Sequence, residues 1–289
     1  MTLVDLLASR PGETLSLSEI SRRLGVNKAT CHAMLASLTG AGWLLRHPVR
    51  KTYRLGPALV AAGQVAGEGF PALEFAHPAM LDLCGAFGLS CLAVAPADDQ
   101  LTVVDAVGAP GRQVTSFSLR VGQPIPARPP FGAVFAAWAS APNSLARWLG
   151  PGAADEWYSA ALEGTRCQGF VVELQTPVEH RLRDAVAELR RVEAAPRVHQ
   201  LIEQLVAELP EQSEFLLSSA RPDERYEVSA VNAPVFDSSG VAVLALSVFG
   251  FDAPLPGAEV MAIGKRVRQA CDEVTSAIGG RAPSQPVLG

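Results

Sequence analysis

Nothing in this chain of 289 residues approaches the run of roughly 18 apolar residues that a membrane-crossing helix needs. The amino end also lacks the basic stretch, apolar core and small-residue cleavage site of a secretory signal. A cytoplasmic protein with no membrane partner is therefore expected. The strong signatures of catalytic and nucleotide chemistry are missing too: no H-E-x-x-H, G-x-S-x-G, G-x-x-x-x-G-K-[ST] or G-x-G-x-x-G occurs. His32, His47, His77, His180 and His199 are dispersed, and Asp98-Asp99 reads as a turn rather than a carboxylate pair for acid–base work. No enzyme, no cofactor and no metal site is expected. The cysteines (Cys31, Cys84, Cys91, Cys167 and Cys271) are odd in number and never form a C-x-x-C pair, so they read as reduced core residues, with a thiol sensor the lesser alternative. Charged residues make up 18% against 48% hydrophobic, which excludes a disordered chain and leaves enough apolar material for two cores.

What charge there is lies unevenly. Residues 1–55 hold eight basic side chains (Arg10, Arg22, Arg23, Lys28, Arg46, Arg50, Lys51 and Arg54) against Asp5, Glu13 and Glu19, a net +5. The whole chain is −5, so the remainder carries −10. A basic, polyanion-binding module joined to an acidic module of another kind is implied.

The local pattern of the basic segment sharpens this. Leu3, Val4, Leu6 and Leu7 recur at helical spacing before Pro11-Gly12. Ser16 and Glu19 have the spacing of a capping box for a second helix ending near Leu24, and Gly25-Val26 reads as a turn. Asn27 is placed to cap a third helix, with Cys31, Met34, Leu35 and Leu38 as its inward stripe. Lys28, Ala29, Thr30, His32 and Ala33 then face outward near its start, where a recognition helix meets base edges. Two strands, 43–46 and 52–55, flank a basic wing at 47–51. These elements predict a winged helix-turn-helix over residues 1–56, with a protein-docking helical domain as the competing reading.

Residues 57–74 follow as a small-residue linker helix whose alanines permit close approach of a second copy. Beyond it, helix 78–87, strands 90–95 and 101–107 around a turn at 96–100, strand 114–119, helix 131–139, a hairpin of 226–236 and 241–249 joined by Asp237-Ser-Ser-Gly240, and a helix over 257–278 give an α+β layer pattern. Between the two strand pairs, Val178, Leu182, Ala185, Val186, Leu189 and Val192, then Val198, Leu201, Ile202, Leu205, Val206 and Leu209, fall at helical spacing. This predicts an amphipathic helical hairpin inserted at about 175–212, serving either as a cover or interface or simply packing on the sheet.

The string LSEISRRLGVNKATCHAMLASLTGAGWLLRHPVRKTYRLGPAL resembles the DNA-binding domain of the IclR family of bacterial transcription regulators, densely over residues 3–63. More loosely, LTVVD at 101–105, LRVG at 119–122 with Pro126 and Gly132, VNAPVFD at 231–237 and ALSV at 245–248 resemble that family's GAF-like effector-binding domain. The resemblance implies a GAF-like α/β domain over 75–280 followed by a tail at 281–289. It also implies a ligand-responsive regulator acting as a homodimer or tetramer, with double-stranded operator DNA and a small-molecule effector as partners. Phosphate contacts would come from Arg22, Arg23, Arg46, Arg50, Lys51 and Arg54, and base readout from Asn27, Lys28, Thr30 and His32. The effector would lie near Cys91, Val104, Arg128, Phe131, Ala230, Ser247 and Phe249, an apolar or aromatic molecule whose carboxylate, if present, would meet Arg128.

The chain departs from the family in two places. Ala33 stands where members usually carry arginine, and AVNAPV at 230–235 replaces a cysteine-containing string. The alternative is a small-molecule-binding or protein-interaction module with weakened DNA binding; an enzyme on the same scaffold is remote.

Overall fold

The computed structural model describes residues 3–8, 12–97, 100–108, 121–122, 124–139, 144–150, 155–175 and 215–283. The chain divides into two units, Met1–Pro71 and Ala72–Gly289. The expected helical hairpin beyond residue 175, strand 114–119, the Asp98-Asp99 turn, His180, His199 and most of the tail lie outside the described residues.

The first unit runs α1 (Leu3–Ala8), β1 (Leu15–Ser16), α2 (Leu17–Leu24), α3 (Lys28–Gly40), β2 (Leu44–Arg46), β3 (Thr52–Leu55) and α4 (Ala58–Glu68). Leu3, Leu6, Ile20, Cys31 and Leu35, presented by the helices at three- and four-residue spacing, bury their side chains together with Leu44 of β2. At the start of α2 the capping box forms: the Ser16 amide donates to the Glu19 carboxylate at 2.8 Å while the Glu19 amide donates back to the Ser16 hydroxyl. The Ser16 hydroxyl bond, above all, holds the Glu19 carboxyl below its ordinary pKa. A depressed carboxylate stabilises the fold fully at neutral pH and loses that contribution as pH falls through its folded value. Ser16→Ala is expected to cost about 1 kcal/mol, read by urea denaturation of the full chain at neutral pH, and the gap to the parent should narrow in acid. Gly25 ends α2 at φ +69°, a left-handed conformation that glycine adopts without Cβ strain. Met34, expected on the inward stripe, is 37% exposed, and Cys31, Leu35 and Leu38 form the face of α3 that meets the core.

The second unit is a six-stranded antiparallel sheet of order β6-β5-β4-β10-β9-β7, formed by β4 (Ser90–Ala97), β5 (Gln100–Val107), β6 (Pro124–Pro126), β7 (Val171–Leu174), β9 (Val228–Phe236) and β10 (Ala242–Phe249). A short pair, β8 (Arg225–Tyr226) with β11 (Leu255–Pro256), stands apart from it. The β9–β10 turn is organised by Asp237, whose carboxylate accepts from the amides of Ser239 and Val241, both at 2.9 Å. One sheet face is covered by α5 (Pro71–Phe87) and α9 (Gly257–Ala277). The first of these begins seven residues before the expected start, with Pro78 inside it. The buried stripe Ala72, Ala76, Met80, Leu83 and Cys84 continues through the proline, so burial carries the helix across one missing amide donor. On the opposite face lie α6 (Ala133–Ala137), α7 (Ser144–Leu149) and α8 (Asp155–Gln168), held by an edge-to-face aromatic cluster of Trp148, Tyr158 and Phe215. The sixth helix is shorter than the expected 131–139 because Gly132, at φ +82°, starts it only at Ala133. No helix of the described residues is long and apolar enough to cross a membrane.

Candidate DNA interface and ligand cavity

Two local devices shape the basic surface of the first unit. Asn27 precedes α3 in extended geometry, and its side-chain oxygen accepts from the Thr30 amide at 2.9 Å. That bond caps the helix and leaves only the amide NH2 of Asn27 for an outside partner. Lys28, Thr30 and His32 are exposed on the first turns, and Ala33 is exposed beside them. Base-edge contact from these positions needs no rearrangement of the unit's core.

The wing is built by its first residue, His47, whose part in the turn the sequence did not show. His47 Nδ1 accepts the amides of Val49 and Arg50 at 3.2 and 3.1 Å, and the His47 and Lys51 backbones close the loop with 2.8 and 3.0 Å bonds. The ring nitrogen thus gathers two backbone donors of the turn onto one side chain. This closure puts Lys51 at φ +54° and leaves Arg50 and Lys51 exposed at the tip. The local signal is a histidine followed within four residues by proline and two cations. Arg46 lies over the Tyr53 ring at 5.9 Å, and Arg54 is exposed on the adjoining strand. Arg22 is exposed and Arg23 half-buried in the last turn of α2, where cations also oppose the negative helix end.

In the second unit the face away from α5 and α9 bears two adjoining spaces. The inner one is a cavity of about 80 Å³ walled by Leu92, Val94, Phe131, Ala230, Ser247 and Phe249 among others. A larger open cleft of about 1080 Å³ lies next to it and shares Leu101, Gly132 and Phe135. Trp148 Nε1 donates to the Phe131 carbonyl at 2.6 Å, which fixes the loop dividing them.

Of the expected effector residues, Phe131, Ala230, Ser247 and Phe249 reach the inner cavity, and three do not. Arg128 lines the outer cleft, together with Arg147, Gln100 and Ser144. Cys91 and Val104 need correction: both pack into the layer under α5 and α9, on the far face of the sheet. Strand pleating makes Leu92 the cavity-facing member of its pair with Cys91. Burial pushes the Cys91 thiol well above the usual cysteine range, in keeping with a packed core group. Asn232, which the sequence reading passed over, faces the cavity instead.

A capped helix beside a basic hairpin, followed by an antiparallel sheet unit with an internal cavity, defines a two-unit protein that joins a winged helix-turn-helix to an α/β domain. Residues 1–48 match the family model of the IclR helix-turn-helix domain. Over nearly its whole length the chain has the fold of solved regulators of that kind. An IclR transcriptional regulator from Alicyclobacillus acidocaldarius is 22% identical, with 96% of each chain covered and a TM-score of 0.63. HmgR of Pseudomonas aeruginosa is 20% identical over 96% of each chain, TM-score 0.61. An IclR homologue complexed with 4-hydroxybenzoate, from Microbacterium hydrocarbonoxydans, is 15% identical over 96% of this chain and 97% of its own, TM-score 0.61. No curated protein matches the chain.

Proposed function

We propose that the protein is a ligand-responsive, sequence-specific DNA-binding transcription regulator of the IclR type and not an enzyme. The observation that carries this reading is the exposed, Asn27-capped start of α3 beside a wing that projects Arg50 and Lys51. In this reading Lys28, Thr30, His32 and the free amide of Asn27 read base edges, and Arg22, Arg23, Arg46, Arg50, Lys51 and Arg54 hold phosphates. The protein works in the cytoplasm as a homodimer or a tetramer. The exposed Val60 and Val65 of α4 support pairing with a second copy. Paired recognition helices then require half-sites about 10 base pairs, or a multiple, apart.

The effector occupies the inner cavity, whose apolar walls suit an apolar molecule. It changes DNA affinity only by the difference in its own affinity for the two DNA-binding states. Ala33 favours one other reading, a ligand-binding or protein-interaction module whose DNA grip has weakened. Binding of the full chain to its own upstream DNA across a salt series, against random duplex, separates the two. Specific retention that falls steeply with salt supports the regulator. Affinity no higher than for random duplex, on every upstream fragment tried, overturns it.

A further inference from the structure

We propose that Asn232 is the polar anchor of the inner cavity, and that it selects a small uncharged ligand presenting one hydrogen-bond-accepting oxygen on an apolar body. This assignment rests on the reading of the cavity as the effector site. Asn232 sits on β9, one strand in from the β7 edge of the sheet, with Ser247 on β10 and Val171 on β7 as its direct cross-strand neighbours. All three therefore share the cavity-side face. The residue is only 6% exposed, and its Nδ2 has no hydrogen-bond partner. Buried polar groups are nearly always paired, and an unpaired amide donor on a residue that lines a cavity asks for an acceptor.

The rest of the wall decides the charge and size of the occupant. Among the described lining residues the charged one is Glu173, itself a carboxylate, while Arg128 and Arg147 belong to the outer cleft. Against the described lining residues a carboxylate ligand would meet like charge and no cation, and would forfeit its hydration. A ketone, ester or ether oxygen takes the Asn232 donor, with the Ser247 hydroxyl beside it, and leaves its hydrocarbon to Leu92, Val94 and Phe249. The cavity, at about 80 Å³, has roughly half the volume of an engineered 150 Å³ cavity that accepts benzene. On that scale the cavity as it stands holds roughly three non-hydrogen atoms, and a ligand of about five enters where the loop at Phe131 yields.

The test uses the full chain labelled with ¹⁵N at asparagine only. The sequence holds three, Asn27, Asn143 and Asn232, so few side-chain amide signals appear. The probes are butanone, propionate and 2-methylbutane, matched in size but offering a neutral acceptor, a charged acceptor and none. Butanone should shift the Asn232 amide saturably, leave Asn27 unmoved, and bind at least about tenfold more tightly than either other probe. Asn232→Leu should abolish that preference. Should this variant fail to fold, Asn27→Ser and Asn143→Ser identify the Asn232 signal by elimination, and the comparison of probes stands on the parent alone. Propionate bound as well as butanone, or butanone bound without moving Asn232, overturns the anchor. Hydrocarbon bound as tightly as ketone overturns it too, while leaving the cavity a ligand site. Absence of binding by all three removes the effector-site reading and the anchor together.

Discussion

Replacing Arg50 and Lys51 together by alanine is expected to weaken operator binding by about 30-fold at physiological salt and to reduce the slope of log affinity against log salt by about 1.8. Each phosphate contact on duplex DNA releases close to one counterion, about 0.9 in the slope, so two lost contacts set both figures. The wing residues are exposed and lie outside the unit's core, so the change should appear in binding and not in folding. The helix predicts the opposite signature. Thr30→Ala or His32→Ala should leave the salt slope nearly unchanged but narrow the gap between operator and random duplex, because base-edge contacts discriminate by about 1–3 kcal/mol without neutralising phosphate. Fluorescence anisotropy titrations at four salt concentrations, on operator and random duplex, read both. A double wing variant with an unchanged slope would remove the wing from the interface.

The second large effect concerns stability. Gly264→Ala should lower the unfolding free energy by about 2–3 kcal/mol, although the same change on an open helix face would raise it by up to about 1 kcal/mol. Gly264 lies inside α9, and a Cβ built there falls 2.1 Å from Phe170 Cε2 and 2.4 Å from two further ring atoms. The Phe170 ring is 1% exposed and has no room to retreat. Overlap of that depth outweighs the propensity gain. Gly85, in α5, supplies the control: nothing lies within 4 Å of its added Cβ, so Gly85→Ala should be neutral or stabilising. A thermal shift of about 4–12 °C between the two variants is the expected readout. Equal melting temperatures would mean that α9 does not pack on Phe170 as described.

What could be read from sequence, and what could not, follows from how much local signal each residue carries. Ser16, Glu19, Gly25 and Asn27 act within four residues of their own position, so their roles are written in the chain itself. The pairing of Leu15 and Ser16 with β3 is non-local and left no local trace. In the sheet the phase of the strands was the difficulty. Residues 90–95 are buried without interruption, because both faces of the sheet are covered, so no polar–apolar alternation shows which way Cys91 points. A register irregularity between Ala93 and Val94 leaves Val104 without a partner on β4 and turns it to the face opposite the one the family resemblance implied. Asn232 was hidden by the opposite effect. It interrupts an apolar run, Val231-Asn-Ala, that reads as plain buried strand until the fold sets it against Ser247.

The distribution of thiols carries a consequence of its own. Cys31 is sealed in the core of the first unit, and Cys84, Cys91 and Cys271 in that of the second, while Cys167 alone is exposed. The four buried thiols also titrate above the ordinary cysteine range through desolvation, so an alkylating reagent meets them only when the surrounding core opens. The chain thus carries its own clocks: the rate at which Cys31 becomes reactive times the opening of the helix-turn-helix unit, and the rates of the other three time the sheet unit. Cys167, modified at once, marks zero.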